Sequence, residues 1–275
     1  MIGRYQLYGL MLGLGVLNAL IRPVMSAVKE QGLISIVNGF NISFVIWFTV
    51  IWAIQVLVSA PYNPYRPRDR NITILASIGL LVPMATFSWL ITGCIALYFR
   101  RITKSEPLVR AALAVIAFAA FRDPLASLVL KLMTTPLLNG DAALVAAFMS
   151  LWVETVERTG NFITGDNGHQ LFILTGCTSY TNLSIALLGW FTITQATLGK
   201  IGRKQWLAGT IVGIAMVVIN IVRLSIMGVG PEAYYFMHDG YGTVITDILM
   251  VFVTLFISLW GCEYEYKKFH LYSHI

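Results

Sequence analysis

The stretch WLAGTIVGIAMVVINIVRLSIMG, residues 206–228, decides the class of this protein. At roughly 1.5 Å of rise per residue it outruns the roughly 30 Å of hydrocarbon in a bilayer, and Arg223 is its only charge. Runs of the same kind recur at about 6–28, 33–60, 72–99, 108–133, 137–156, 178–199 and 243–261. Of the 275 residues, 57% are hydrophobic and 12% charged, against roughly 25% charge in soluble domains. A β-barrel would need roughly ten-residue alternating segments throughout, and these are missing. The expectation is an all-α integral membrane protein, a bundle of about eight transmembrane helices. It is read as one polytopic domain over 1–275: N-terminal helices 1–121, a region 122–255, and a cytoplasmic tail 262–275.

Two runs are weaker than the rest. The run 108–133 carries Arg122, Asp123 and Pro124 internally, and 137–156 opens on the turn residues of LLNGDAALVAAF, so one or both are candidates for interfacial or re-entrant segments. The first run, with one Arg ahead of it and no small-residue cleavage site, reads as a retained helix and not a signal peptide.

The net charge of +6 would suggest nucleic acid in a soluble protein, but here the Lys and Arg residues sit in short loops between apolar runs, so topology accounts for them and no nucleic-acid partner is expected. GKIGRKQ carries Lys200, Arg203 and Lys204, and the tail carries Lys267 and Lys268, whereas GVGPEAYYFMHDGYG (228–242) has neither Lys nor Arg. The 199–205 loop and the tail are therefore cytoplasmic and 228–242 lies outside. YNPYRPRDR and FRRITKSEPLVR are both basic, which leaves the N-terminal half unoriented. The three cysteines, Cys94, Cys177 and Cys262, form neither a metal-ligand pattern nor a disulfide framework, and no metal or cofactor is expected.

Between 156 and 176 the chain turns polar. VERTGNFITGDNGHQLFIL has turn signals at Gly160-Asn161 and around Gly165 to Gly168, predicting a short β-hairpin at the membrane surface that delivers Cys177 to the start of the sixth helix. That helix ends near the cytoplasmic loop about 22 residues later, so Cys177 belongs to the outer face. Arg223 lies roughly 26 Å along from Trp206 at the cytoplasmic end of its helix, which brings it to the same leaflet. His238 sits in the lysine-free loop, also outside.

Taken singly, each has a plain explanation: a small packing thiol, an arginine snorkelling to headgroups, a solvated loop histidine. Converging on one face, they have a chemical use. A helix N-terminus and a nearby cation stabilise thiolate, His238 serves as general base and then acid, and Arg223 stabilises an oxyanion or holds the substrate carbonyl. Asn220, at i−3 from Arg223, orients the guanidinium or donates a hydrogen bond itself. Cys94 and Cys262 are expected to be packing residues, and His169, His270 and His274 surface ones.

These residues and their order resemble the exosortase/archaeosortase family of multi-pass membrane transpeptidases. The resemblance covers about 122–255: FRDPLASLVLKLMTTPLL, the Gly-Asn-x-Ile hairpin, the cysteine motif, the Asn-x-x-Arg helix as NIVRLS, and a histidine opening the last helix as HDGYGTVITDILMVF. It implies that Cys177 is the nucleophile, Arg223 the transition-state or positioning residue and His238 the acid/base. It also implies the substrates: exported proteins with a C-terminal motif, a transmembrane helix and a basic tail. They would be cut at the outer face of the cytoplasmic membrane through a thioester, with a lipid, a glycan or water as acceptor. The chain departs from the family at CTSY. Thr178 keeps a hydroxyl, but Ser179 stands for glycine and Tyr180 for an aliphatic residue, a bulkier rim that marks a divergent subfamily. The alternative is a non-enzymatic membrane component of exopolysaccharide export or assembly. The partner common to both readings is the lipid bilayer.

Overall fold

The computed structural model describes residues 3–272 except Tyr65 and Pro83; the side chains of Val37 and of 264–272 lie outside the description, as does His274. Ten helices are present among these residues: α1 (Arg4–Gln31), α2 (Ile34–Val37), α3 (Phe44–Ser59), α4 (Pro67–Leu80), α5 (Ala85–Ile102), α6 (Pro107–Met149), α7 (Ser179–Leu198), α8 (Arg203–Val229), α9 (Pro231–His238) and α10 (Tyr241–Tyr272). Strands β1 (Glu157–Thr159), β2 (Phe162–Thr164) and β3 (Gln170–Phe172) stand between α6 and α7. Among the described residues, four helical stretches are long and apolar enough to cross a membrane: Arg4–Gln31, Pro107–Met149, Arg203–Val229 and Tyr241–Glu263. The chain is a multi-pass, mainly helical membrane protein.

The remaining apolar runs differ from their expected outlines. The run at 33–60 is interrupted by a 3-10 turn at Gly39–Asn41, where Phe40 and Asn41 take positive φ, so it is divided between the single turn of α2 and the sixteen residues of α3. Ser43 starts α3 by accepting the Val45 N–H on its hydroxyl at 3.3 Å. The run at 72–99 is broken into α4 and α5, and Asn18 of α1 secures the break by donating to the Leu80 carbonyl (2.8 Å) and the Ser88 hydroxyl (2.7 Å). The two weak runs merge into one helix, α6, which ends at Met149 short of the expected 156 and is bent at Met133, whose φ of −119° and ψ of 21° are not helical. Pro136 accounts for the bend, because its ring collides with the carbonyl four residues back, at Leu132, and it offers no N–H in return.

The chain divides into two compact units. The first comprises Met1–Leu125, Phe191–Gly202 and Glu265–Ile275. Its core is built on α1: Tyr8, Leu12, Leu57, Phe99, Leu113 and Ile116 are all buried, with the Tyr8 and Phe99 rings stacked. A buried ion pair joins Arg4 Nε to Asp69 Oδ2 at 2.8 Å, and Tyr8 donates to Asp69 Oδ1 at 3.0 Å, so the charge brought into the core is paired and hydrogen-bonded.

The second unit comprises Ala126–Trp190 and Arg203–Tyr264. Here the predicted hairpin is extended to a three-stranded antiparallel meander. Gly160, at φ 64°, supplies the tight β1–β2 turn, and Thr159 faces Phe162 across it. Ile163 and Leu171 are partners across β2 and β3 and both are buried, while Phe162 and Phe172, one residue away, stack on the opposite, exposed face. This is the period-two alternation of a half-buried sheet. The buried face rests on Met149, Leu224 and Met227, so the sheet sits on the ends of α6 and α8.

Candidate active site

All six residues expected to form the site lie in the second unit. Cys177 is not the first residue of a helix, as expected, but the last of a 3-10 turn, Thr175–Cys177, and α7 begins two residues later. Its backbone is held on both sides, the N–H donating to the Leu174 carbonyl (2.9 Å) and the carbonyl accepting from Asn220 Nδ2 (2.9 Å). The thiol is partly exposed and, among the described residues, makes no hydrogen bond.

The start of α7 is occupied by a residue that sequence reasoning missed. Asp141 of α6 is 8% exposed and its Oδ2 accepts the Ser179 N–H at 2.8 Å, so a carboxylate takes one of the free donors that a helix start presents. One N–H at this helix start therefore already has a side-chain acceptor in Asp141. Asp141 lies among the residues that read as a turn opening the run at 137–156, and only the meeting of α6 with α7 shows its use.

Ser179, expected with Tyr180 at a bulkier rim, lies inside the fold beside Thr178. Both are buried: Thr178 Oγ1 donates back to the Thr175 carbonyl at 3.1 Å, and Ser179 Oγ accepts from Asn220 Nδ2 at 3.2 Å. The Ser179 hydroxyl is thus a fastener between α7 and α8. Asn220 itself, fully buried, spends its amide on Cys177 and Ser179 and accepts from Asn182 at 3.0 Å, and so ties the cysteine turn to α8 and does not orient Arg223.

Arg223, one turn further along α8, sends Nε (3.2 Å) and Nη2 (3.1 Å) to one acceptor, the Met237 carbonyl, which also accepts from Thr243 Oγ1 at 2.9 Å. That carbonyl belongs to the last turn of α9, where acceptors lack helical partners and attract cations. The next residue is His238. It closes α9 and is not in an irregular loop, and its Nδ1 lies 2.8 Å from Asp239 Oδ1. An ionised carboxylate only accepts, so beside it Nδ1 is the donor of this contact.

Tyr234, also unforeseen, connects the two sides. Its ring stacks on His238 with centroids 5.0 Å apart, and it packs on the same apolar cluster as Cys177 and Met237. Burial pushes its phenol above the usual tyrosine range, with the neighbouring Cys177, Asp239 and Tyr235 adding to this, so the hydroxyl stays a neutral donor. His169 is not a plain surface residue either: its Nε2 lies 3.2 Å from the Met227 carbonyl and its ring meets Tyr234 edge-on. Cys262 is buried, as expected of a packing residue, whereas Cys94 is exposed.

The model of the transmembrane exosortase family matches residues 37–257. The chain belongs to that family. The match takes in every residue of the site and reaches further toward the N-terminus than the motifs at 122–255 suggested. No curated protein and no solved structure matches this exosortase-family chain. Membership makes it a membrane protein of the sorting and processing class.

Proposed function

We propose that the chain is a membrane cysteine transpeptidase or peptidase that cuts the C-terminal sorting signal of exported proteins at the outer face of the cytoplasmic membrane. The observation that carries this is the double use of α8: Asn220 holds the turn bearing Cys177, and Arg223, one turn away, holds the carbonyl beside His238. One helix thus carries both fastenings, that of the turn bearing the thiol and that of the carbonyl beside the imidazole.

In the reaction, His238 Nε2 accepts the Cys177 thiol proton as sulfur bonds to the scissile carbonyl carbon. The oxyanion forms within reach of the Arg223 N–H groups not engaged with Met237. Collapse breaks the C–N bond, the leaving amine takes the proton from His238, and the N-terminal fragment remains as a thioester on Cys177. A surface amine or water then attacks, gives its proton to His238 Nε2, and releases the sulfur. Arg223 and protonated His238 are the cations left to support thiolate, since Asp141 occupies the first N–H of α7. In this topology α7, twenty residues long, also crosses the bilayer, from Cys177 outside to the basic loop at 199–205 inside.

The test is processing of a co-expressed protein bearing the motif, helix and basic tail. Cys177→Ala and Arg223→Ala should leave it as full-length precursor, and hydroxylamine should release a thioester-bound fragment from the wild type. Normal processing by a stably inserted Cys177→Ala protein would remove the mechanism and favour the non-enzymatic reading.

A further inference from the structure

The first unit carries a second candidate site, in the loop between α5 and α6. A cavity of about 570 Å³ is lined there by Leu97, Arg100, Arg101, Thr103, Lys104 and Arg110. Four of the six lining residues are cations and none is a carboxylate, and the loop between Ile102 and Pro107 contains one carboxylate, Glu106. The N-terminus of the 43-residue α6 opens at the same loop, with no acidic residue in its first turn to meet its free N–H groups.

An excess of Lys and Arg in a loop between apolar helices is the ordinary mark of topology. Topology alone, however, asks for charge in water and not for a cavity with a polar floor. Thr103, only 2% exposed, lines this cavity, and its Oγ1 has no hydrogen-bond partner. A buried hydroxyl left unpaired is costly, and retaining one beneath a ring of cations is economical only if an acceptor-rich anion fills the space.

We propose that this cavity binds the phosphate group of an anionic ligand. Phosphate matches the donors better than carboxylate: it carries three or four acceptor oxygens, the planar guanidinium forks of Arg100, Arg101 and Arg110 bind it in paired fashion, and Lys104 adds a point charge. Basic pockets between membrane helices are suited to lipid headgroups, and a loop joining two apolar helices lies at headgroup level. The chemistry is shared by phospholipid headgroups and soluble phosphate. It is independent of the thiol site, whose residues all lie in the other unit.

The full-length protein is exchanged into vesicles of phosphatidylcholine with and without phosphatidylglycerol, and native mass spectrometry counts the lipid retained, with inorganic phosphate titrated as competitor. Wild type should retain phosphatidylglycerol in preference, and Arg100→Gln, Arg101→Gln and Arg110→Gln should each weaken retention about fivefold. Thr103→Val, which changes no charge, should weaken it roughly two- to tenfold. Lys29→Gln, at the end of α1, should leave it unchanged. Displacement by inorganic phosphate assigns the cavity to soluble phosphate, and resistance to displacement assigns it to the lipid. Retention that is unaltered in Thr103→Val, that falls as much in Lys29→Gln, or that is absent from wild type together with phosphate binding, overturns the proposal. Unchanged elution on size exclusion separates each effect from misfolding.

Discussion

The Asn220 side-chain amide donates to the Cys177 backbone carbonyl at 2.9 Å, across 43 positions of sequence. This bond, with the one to Ser179 Oγ, locks α8 to the turn that presents the thiol. Asn220→Asp keeps the shape and removes the two donors. Leaving the Cys177 carbonyl and Ser179 hydroxyl without them should cost about 1–3 kcal/mol, read as a lower melting temperature in detergent, and should slow precursor processing more than it lowers protein level. Wild-type processing by this variant would show that the lock is dispensable.

Asp141 caps α7 through the Ser179 N–H, a role that needs an acceptor and not a charge. Asp141→Asn retains a carbonyl oxygen and should melt close to wild type. Asp141→Ala should lose about 0.5–2 kcal/mol, the usual loss for a removed helix cap. Equal melting of the two variants would assign the stabilisation to something other than this bond.

Arg223 makes two N–H bonds to the Met237 carbonyl, which a lysine cannot reproduce with its single ammonium. Arg223→Lys keeps the positive charge, yet processing should fall at least about tenfold, the equivalent of roughly 1.4 kcal/mol of misplacement at His238. Activity retained in the lysine variant would show that charge alone suffices.

Tyr234 has a phenol raised above the ordinary tyrosine range, chiefly by burial. Below about pH 10 both folded and unfolded chains keep this proton; above it the unfolded chain releases it first, so the folded state loses stability as pH rises. The alkaline fall in melting temperature should be shallower in Tyr234→Phe than in wild type, while the two agree at neutral pH. Parallel curves would show that the phenol is not held in this environment.

Two glycines should respond with opposite signs. A Cβ on Gly209 of α8 would stand 2.6 Å from the Trp190 indole, whose Nε1 is already fixed by donating to the Gln205 carbonyl at 3.0 Å. Gly209→Ala should therefore destabilise by about 1–3 kcal/mol. Gly140 in α6 has open space at the same position, and Gly140→Ala should stabilise by roughly 0.5–1 kcal/mol through helix propensity. Thermal unfolding of both variants in one detergent checks the contrast.

The membrane class and the helical content were legible because a bilayer leaves long apolar runs such as 206–228 few other solutions. The grouping of Cys177, Asn220, Arg223 and His238, which all fall in the second unit, was legible from their order along the chain. The ends of elements were harder to read. Hydropathy does not register the positive φ at Phe40 or the break after α4, and it divided α6 in two where Pro136 only bends it.

The partners of each site residue depended on the tertiary structure. Nothing in the local pattern distinguishes Asp141 from a turn residue, Tyr234 from an interfacial aromatic or Ser179 from a substituted glycine. Their contacts lie on other elements: Asp141 reaches Ser179, Asn220 reaches both Cys177 and Ser179, and Arg223 reaches Met237 instead of the thiol. The sequence by itself determined the membrane class and the predominance of helix, because both follow from local periodicity and solvent. Only the tertiary structure decided which donor meets which acceptor, because a hydrogen bond is formed or lost over less than an ångström and that distance is set by the packing of several helices at once.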